Sequence, residues 1–236
     1  FLFVVAAFFA VDVFFFLGGF LVAYSFLREK SKSVLKYPMA IVHRVLRFWP
    51  SYLMAILIFY AVLLQTAHGM FWFQNDATDQ IENCAQIWKP MFFVDNLVDN
   101  GEKMCMGWGW YLQNDMQIFI VSMLFLFIYS KSKIASKLVL PILSLLSLIL
   151  NFVEVQNEGY IQVTHPKDFA KWGQYFPNIY IKPWTRCPPY LIGLFFGIQY
   201  MEYLSVKKDR EEILKRLESK VVNRTSLNEE SLIEQT

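Results

Sequence analysis

Four short stretches of this chain carry residue types that could do chemistry. In "HRVLRFWPSY" (residues 43–52), Arg44 and Arg47 stand three apart on one helical face, just before Pro50. A guanidinium is a permanently charged fork that matches phosphate, so the two could grip an anion, or they could be ordinary basic anchors at a membrane edge. His43 beside them is either a base or a structural and headgroup contact. "CMGWGWYLQNDMQIFI" (residues 105–120) puts Asn114, Asp115 and Gln117 where the chain turns apolar. "AVDVFFFLGGFLVAY" (residues 10–24) sets Asp12 ahead of a phenylalanine run and the pair Gly18 and Gly19. "YIKPWTRCPPYLIGLFFG" (residues 180–197) ends a loop with Lys182, Trp184 and Arg186 and opens a helix carrying Gly193 and Gly197. Asp12, Asp115 and Arg186 are the catalytic candidates. Arg44, Arg47, Gln117, Lys182 and Trp184 are the candidates for binding substrate.

The elements that must position them are apolar helices. Hydrophobic residues make up 56% of the 236, and Phe alone contributes 23. A soluble domain of this size rarely needs so much apolar surface. Long apolar runs fall at residues 2–27, 48–65, 116–130, 138–153 and 188–204, with polar stretches between them. A helix needs about 20 residues to cross hydrocarbon, with a range of about 17–25. The reading is an all-α polytopic bundle of about five transmembrane spans, residues 1–204. Residues 205–236 follow as a charged amphipathic helix and tail. The chain opens at Phe1 inside an apolar run, without a basic n-region or a small-residue cleavage site. That reads as something other than a signal peptide, and the expectation is that a segment precedes it in the gene or was cleaved.

Charge sets the expected orientation. Residues 28–47 hold Arg28, Lys30, Lys32, Lys36, Arg44 and Arg47 against the single acid Glu29, and "KSKIASK" (residues 131–137) holds three lysines and no acid. Residues 66–111 are acidic on balance. The positive-inside rule then puts the basic connections in the cytoplasm or its equivalent. Loops 66–111 and 155–186 face the non-cytoplasmic side, or the intermembrane space if the membrane is the mitochondrial inner one rather than an endomembrane or the plasma membrane. Cys84 and Cys105 share the first of these loops. In an oxidising compartment they would form a disulfide contributing on the order of 3 kcal/mol; the alternative is two free thiols. No cysteine or histidine pair has zinc-ligand spacing. Cys187 reads as a small buried hydrophobe, and His68 and His165 as surface residues.

Placing a carboxylate at mid-bilayer costs roughly 2.5–3.5 kcal/mol, so an intramembrane acid normally faces a cavity or a partner. Asp115, near the outer edge, is expected to pair with Arg186 or Lys182 from the other outward loop. Gln117 and Asp12 would then join an outward-facing polar pocket. The competing reading is a helix N-cap by Asn114 or Asp115. Trp108, Trp110 and Tyr111 suit an interfacial belt, and Gly193 and Gly197 suit close helix packing. In the tail, Val206, Ile213, Leu214, Leu217 and Val221 recur at three- and four-residue spacing, which makes an amphipathic helix expected to bury that stripe against the membrane or a protein partner contacting residues 205–236. The last stretch, "SLNEESLIEQT", should be disordered by itself. Lipids are the other expected partner, and nothing points to nucleic acid.

Taken in order, the four stretches resemble the membrane acyltransferase-3 family, in its branch related to the nose-resistant-to-fluoxetine proteins. The resemblance runs from about residue 11 to residue 200. It implies transfer of an acyl group to a hydroxyl on a sugar, lipid or small molecule, with no bound cofactor but with acyl-CoA or another acyl donor. Such a reaction needs a base for the acceptor hydroxyl, donors for the developing oxyanion and, for a phosphate-bearing thioester, a cationic grip. The family's proposed catalytic histidine lies on a helix ahead of the Asp12 motif, upstream of Phe1, and its helices continue beyond the "GLFFG" stretch. The alternative expectation is therefore a shortened, non-catalytic accessory subunit of a large membrane assembly, such as a respiratory-chain complex.

Overall fold

The computed structural model describes residues 2–29, 33–66, 74–98, 103–157 and 174–233. Its long elements are α1 (Leu2–Arg28), α2 (Lys36–Thr66), α5 (Trp110–Lys131), α6 (Lys133–Asn157) and α7 (Pro183–Ile233). The short helices α3 (Gln74–Ala85) and α4 (Trp88–Met91) lie between α2 and α5, and no strand occurs among the described residues. Four described helices, within α1, α2, α5 with the turn before it, and α6, are long and apolar enough to cross a membrane. The fifth apolar run forms the front of α7. At 51 residues and 1.5 Å per residue, α7 is about 77 Å long, against roughly 30 Å of hydrocarbon, so it projects well past the bundle.

Cross-helix contacts fix the directions. Asp12 meets Arg186 and Phe20 meets Tyr200, so α1 and α7 run parallel. Phe15 stacks near Tyr111, and Tyr129 bonds Glu202, which aligns α5 with both. Tyr37 lies edge-on to Phe127, while Tyr52 accepts from Gln113, so α2 is antiparallel to α5. Lys137 reaches Glu202 and Ser147 reaches Trp184, which makes α6 antiparallel to α7. One end of the bundle therefore gathers Glu29, Lys36, Lys131 and Lys137, and the other carries the disulfide.

Small residues let α1 and α7 touch. A Cβ on Gly19 would overlap the Tyr190 carbonyl oxygen, and one on Gly193 would overlap that of Phe16. This is the close approach expected of small residues between membrane helices. Behind it lies a core of Ala23, Phe119, Met123, Leu126, Leu194 and Ile198.

Pro188 and Pro189 explain how α6 docks. Neither has an N–H, so the carbonyls four residues back, on Trp184 and Thr185, lose their helical donors. The α6 side chains supply replacements: Ser147 Oγ donates to Trp184 O at 2.6 Å, and Asn151 Nδ2 to Thr185 O at 3.3 Å. In a lipid environment such rescue by a neighbouring helix is what makes the prolines tolerable.

The structure departs from the sequence reading in two places. The helix expected at Arg44 and Arg47 is present, but it starts at Lys36, ahead of the second apolar run at residue 48. Residues 205–233 are not a separate surface helix. They continue α7 without a break, the final stretch is helical through Ile233, and Ile213, Leu214 and Leu217 stay exposed. The continuous helix follows from the run of good helix formers there, with no Gly or Pro between residues 198 and 236.

Candidate functional site

Two ion pairs thread the bundle, and neither is the one expected. Asp115 pairs with Arg44, Nη2 to Oδ2 at 2.5 Å, and Arg186 pairs with Asp12, Nη1 to Oδ1 at 2.8 Å. The expected Asp115–Arg186 pair is thus corrected. Because α2 carries Arg44 two turns into the bundle, a basic residue from the opposite end reaches Asp115 first. Arg44 lies over the Phe119 ring, 4.1 Å from its centroid, and Arg186 over the Tyr180 ring at 4.0 Å. Arg186 Nε also donates to Tyr180 O at 2.9 Å, which fixes its fork.

The reading of Asn114 or Asp115 as an N-cap is not borne out. Gly109 takes the cap position of α5 with no side-chain cap bond. The polar residues instead receive the loop that follows α4. Asn96, fully buried, donates Nδ2 to Asn114 Oδ1 at 2.6 Å and to Ile181 O at 3.2 Å. Its backbone N–H donates to Gln113 Oε1 at 2.7 Å, and its side-chain oxygen accepts from Gln117 Nε2 at 2.8 Å. Lys182 Nζ donates to Asn96 O at 3.1 Å. Gln117 and Lys182 are thus tied into a packed polar plug rather than an open outward pocket. Phe93, at φ 57°, holds a backbone conformation unfavourable to a bulky residue, secured by its stacking on Tyr52 and by the Gln117 bond to its carbonyl. Cys84 and Cys105 form a disulfide beside this plug, as expected. Trp110 is buried edge-on against Tyr180, so it departs from the expected belt, while Trp108 stays exposed.

The open space lies at the other end. A cavity of about 660 Å³ runs between α1, α2 and α5, from Glu29 and Lys36 at its mouth to Gly18 and Arg44 at its blind end. His43 and Arg47 share its α2 wall, so three permanent cations face one acid there. Lys36 lies 4.4 Å from the Phe26 ring centroid and Arg47 5.8 Å from that of Phe48, which pins both heads beside apolar wall. The deeper lining, Leu21, Val22, Phe119 and Met123, is hydrocarbon. Cations along the α2 wall facing hydrocarbon from α1 and α5 suit a ligand that is anionic in one part and oily in another. At the blind end Gly18 adjoins the Tyr190 ring and Asp115.

Arg44 and Arg47 are the predicted residues that the cavity brings together, with Asp115 behind Arg44. Asp12, Arg186, Gln117 and Lys182 are gathered elsewhere, and Trp184 lies exposed on α7. His68 and His165 fall outside the described residues. Sequence reasoning missed Asn96, for which an amide in an acidic loop gives no signal. It also missed Tyr190, whose buried hydroxyl has no hydrogen-bond partner beside the Arg44–Asp115 pair. No cluster of metal-ligating side chains occurs among the described residues.

Comparison with known proteins agrees on one family. A family model described as an acyltransferase domain matches residues 1–212. Nose resistant to fluoxetine protein 6 of Caenorhabditis elegans is 27% identical over 233 residues, covering 90% of this chain and 28% of that protein. The chain thus spans less than a third of the relative's length. No solved structure matches.

Proposed function

The chain belongs to the acyltransferase-3 family of integral membrane proteins, and on that premise we propose that it takes part in transfer of an acyl group to a hydroxyl acceptor. The observation that carries the reading is the cavity with Lys36, Arg44 and Arg47 along its α2 wall and hydrocarbon from α1 and α5 facing them. The acyl donor lies with its anionic portion against these cations and its acyl chain toward Phe119 and Met123. Arg44 is the best placed of the three. Asp115 holds its guanidinium in one orientation, and its Nε makes no protein hydrogen bond. A fixed fork loses less freedom on binding than a free one, and an unpaired N–H stands ready for a ligand oxygen.

The chemistry required is a simple exchange. The acceptor oxygen bonds to the acyl carbon, the bond from that carbon to the leaving sulfur or oxygen breaks, and the acceptor proton passes to a base. Asp115 is already engaged by the Arg44 guanidinium. Its role in this reading is to position Arg44.

Membranes containing the full-length protein, given a radiolabelled long-chain acyl-CoA, should form a labelled ester in the lipid or sugar fraction. Replacing both Arg44 and Arg47 by Ala should bring that yield to the level of membranes lacking the protein. An undiminished yield in the double variant would refute the assignment of the cavity.

A further inference from the structure

We propose that a second cavity, remote from the cationic one, is a binding site for a single hydrocarbon chain of a membrane lipid. It measures about 540 Å³ and lies between α5, α6 and the start of α7, toward the disulfide end. The inference goes beyond acyl transfer and does not depend on it.

Three observations fix the occupant. The first is the chemistry of the wall. The polar residues on it are turned away into protein: Gln117 donates to Phe93 O, Ser147 to Trp184 O and Asn151 to Thr185 O. What remains to face a ligand is carbon, from Leu97, Val121, Phe125, Leu143, Leu146 and Leu191. A polar headgroup or a sugar would find no free partner there, and burying one would be unfavourable.

The second is the shape. Along α5 the lining runs from Gln117 to Phe125, and along α6 from Leu143 to Asn151. Eight residues of helix rise about 12 Å, close to the ~15 Å of one leaflet's hydrocarbon.

The third is continuity with the membrane-facing surface. Val121, Leu146 and Leu150 line the cavity and are also exposed on α5 and α6, two of the helices able to cross a membrane. A chain from the surrounding lipid can enter sideways without leaving hydrocarbon.

The test places the purified full-length protein in phosphatidylcholine vesicles doped with a phosphatidylcholine that carries a diazirine midway along one chain. After irradiation, peptide mapping should find adducts concentrated on Val121, Phe125, Leu143 and Leu146. Val121→Trp and Leu146→Trp fill the cavity from its rim. Each should cut the adduct yield by about tenfold, the change expected when a few methylene contacts are lost. Leu145→Trp, exposed on the same helix but outside the cavity, should leave the yield unchanged. Retention of the Cys84–Cys105 disulfide and of the wild-type melting temperature would show that the variants fold. Labelling spread evenly over Leu145 and Leu124 would mean ordinary surrounding lipid and would overturn the proposal. Absence of adducts at the cavity in the wild type would overturn it too, as when a further helix covers that face.

Discussion

Asp115 and Arg44 are the pair on which the account of this bundle turns. Both side chains are largely withdrawn from solvent, 11% and 19% exposed, so deleting one strands the other in a poorly solvating site. Asp115→Asn should destabilise the protein by about 3 kcal/mol, as for breaking a partly buried pair. A double-mutant cycle should show strong coupling between Asp115 and Arg44 and none between Asp115 and Arg186, read from thermal unfolding in detergent. Asn96 is the second residue with large leverage. Asn96→Leu removes its side-chain bonds to Asn114, Gln117 and Ile181 O, so a loss of about 2–4 kcal/mol is expected, together with faster proteolysis of residues 86–98. The sequence made Asp115 conspicuous but not its partner. Arg44 sits in a basic cluster that charge counting assigns to a loop at the far face, and only the early start of α2 carries it to the acid. Asn96 was illegible for a different reason: its importance lies in where a loop folds back, and no local pattern encodes that.

At the scale of helices, the prolines and glycines decide the packing. Ser147→Ala and Asn151→Ala should together cost about 1–3 kcal/mol, because the carbonyls freed by Pro188 and Pro189 would lose their rescuing donors inside the bundle. The same substitutions in a soluble helix surface would cost little, which makes melting temperature in detergent an adequate readout. Gly193→Leu should be worse, since its side chain must force α7 off the Phe16 backbone. The pairing of α1 with α7 was foreshadowed by the spacing of Gly193 and Gly197. The docking of α6 was legible in principle, from a proline pair and two polar residues on an otherwise apolar helix, but nothing in the sequence says which polar residue faces which carbonyl. The far part of α7 shows the opposite failure. Its continuity with the front of the helix was not foreseen, because charge at residues 205–212 looks like a helix end while propensity carries the helix through. Ile213, Leu214 and Leu217, expected to be buried against the membrane or a partner, stay exposed.

Over the whole molecule the two ends are built for different work. Toward the disulfide end Asn96, Gln113, Asn114, Gln117 and Lys182 form a network of bonded polar groups, and Asp12 and Arg186 pair nearby. The basic end is open, and its cavity leads down to Arg44. The fold class was legible from composition and run length because hydrocarbon imposes both on any chain that crosses it; the position of the cavity was not, since it depends on the depth of α2 against α1. The central claim is that this cavity binds the anionic end of an acyl donor, and equilibrium binding of an acyl-CoA to the full-length protein in nanodiscs tests it most directly. The account predicts saturable binding that weakens with salt and falls by roughly tenfold or more in Arg44→Ala and in Arg47→Ala, since each loses a charge-assisted contact, while Lys103→Ala at the opposite end changes nothing. Binding that is unaltered by both arginine substitutions, or that is lost equally with Lys103, would contradict it.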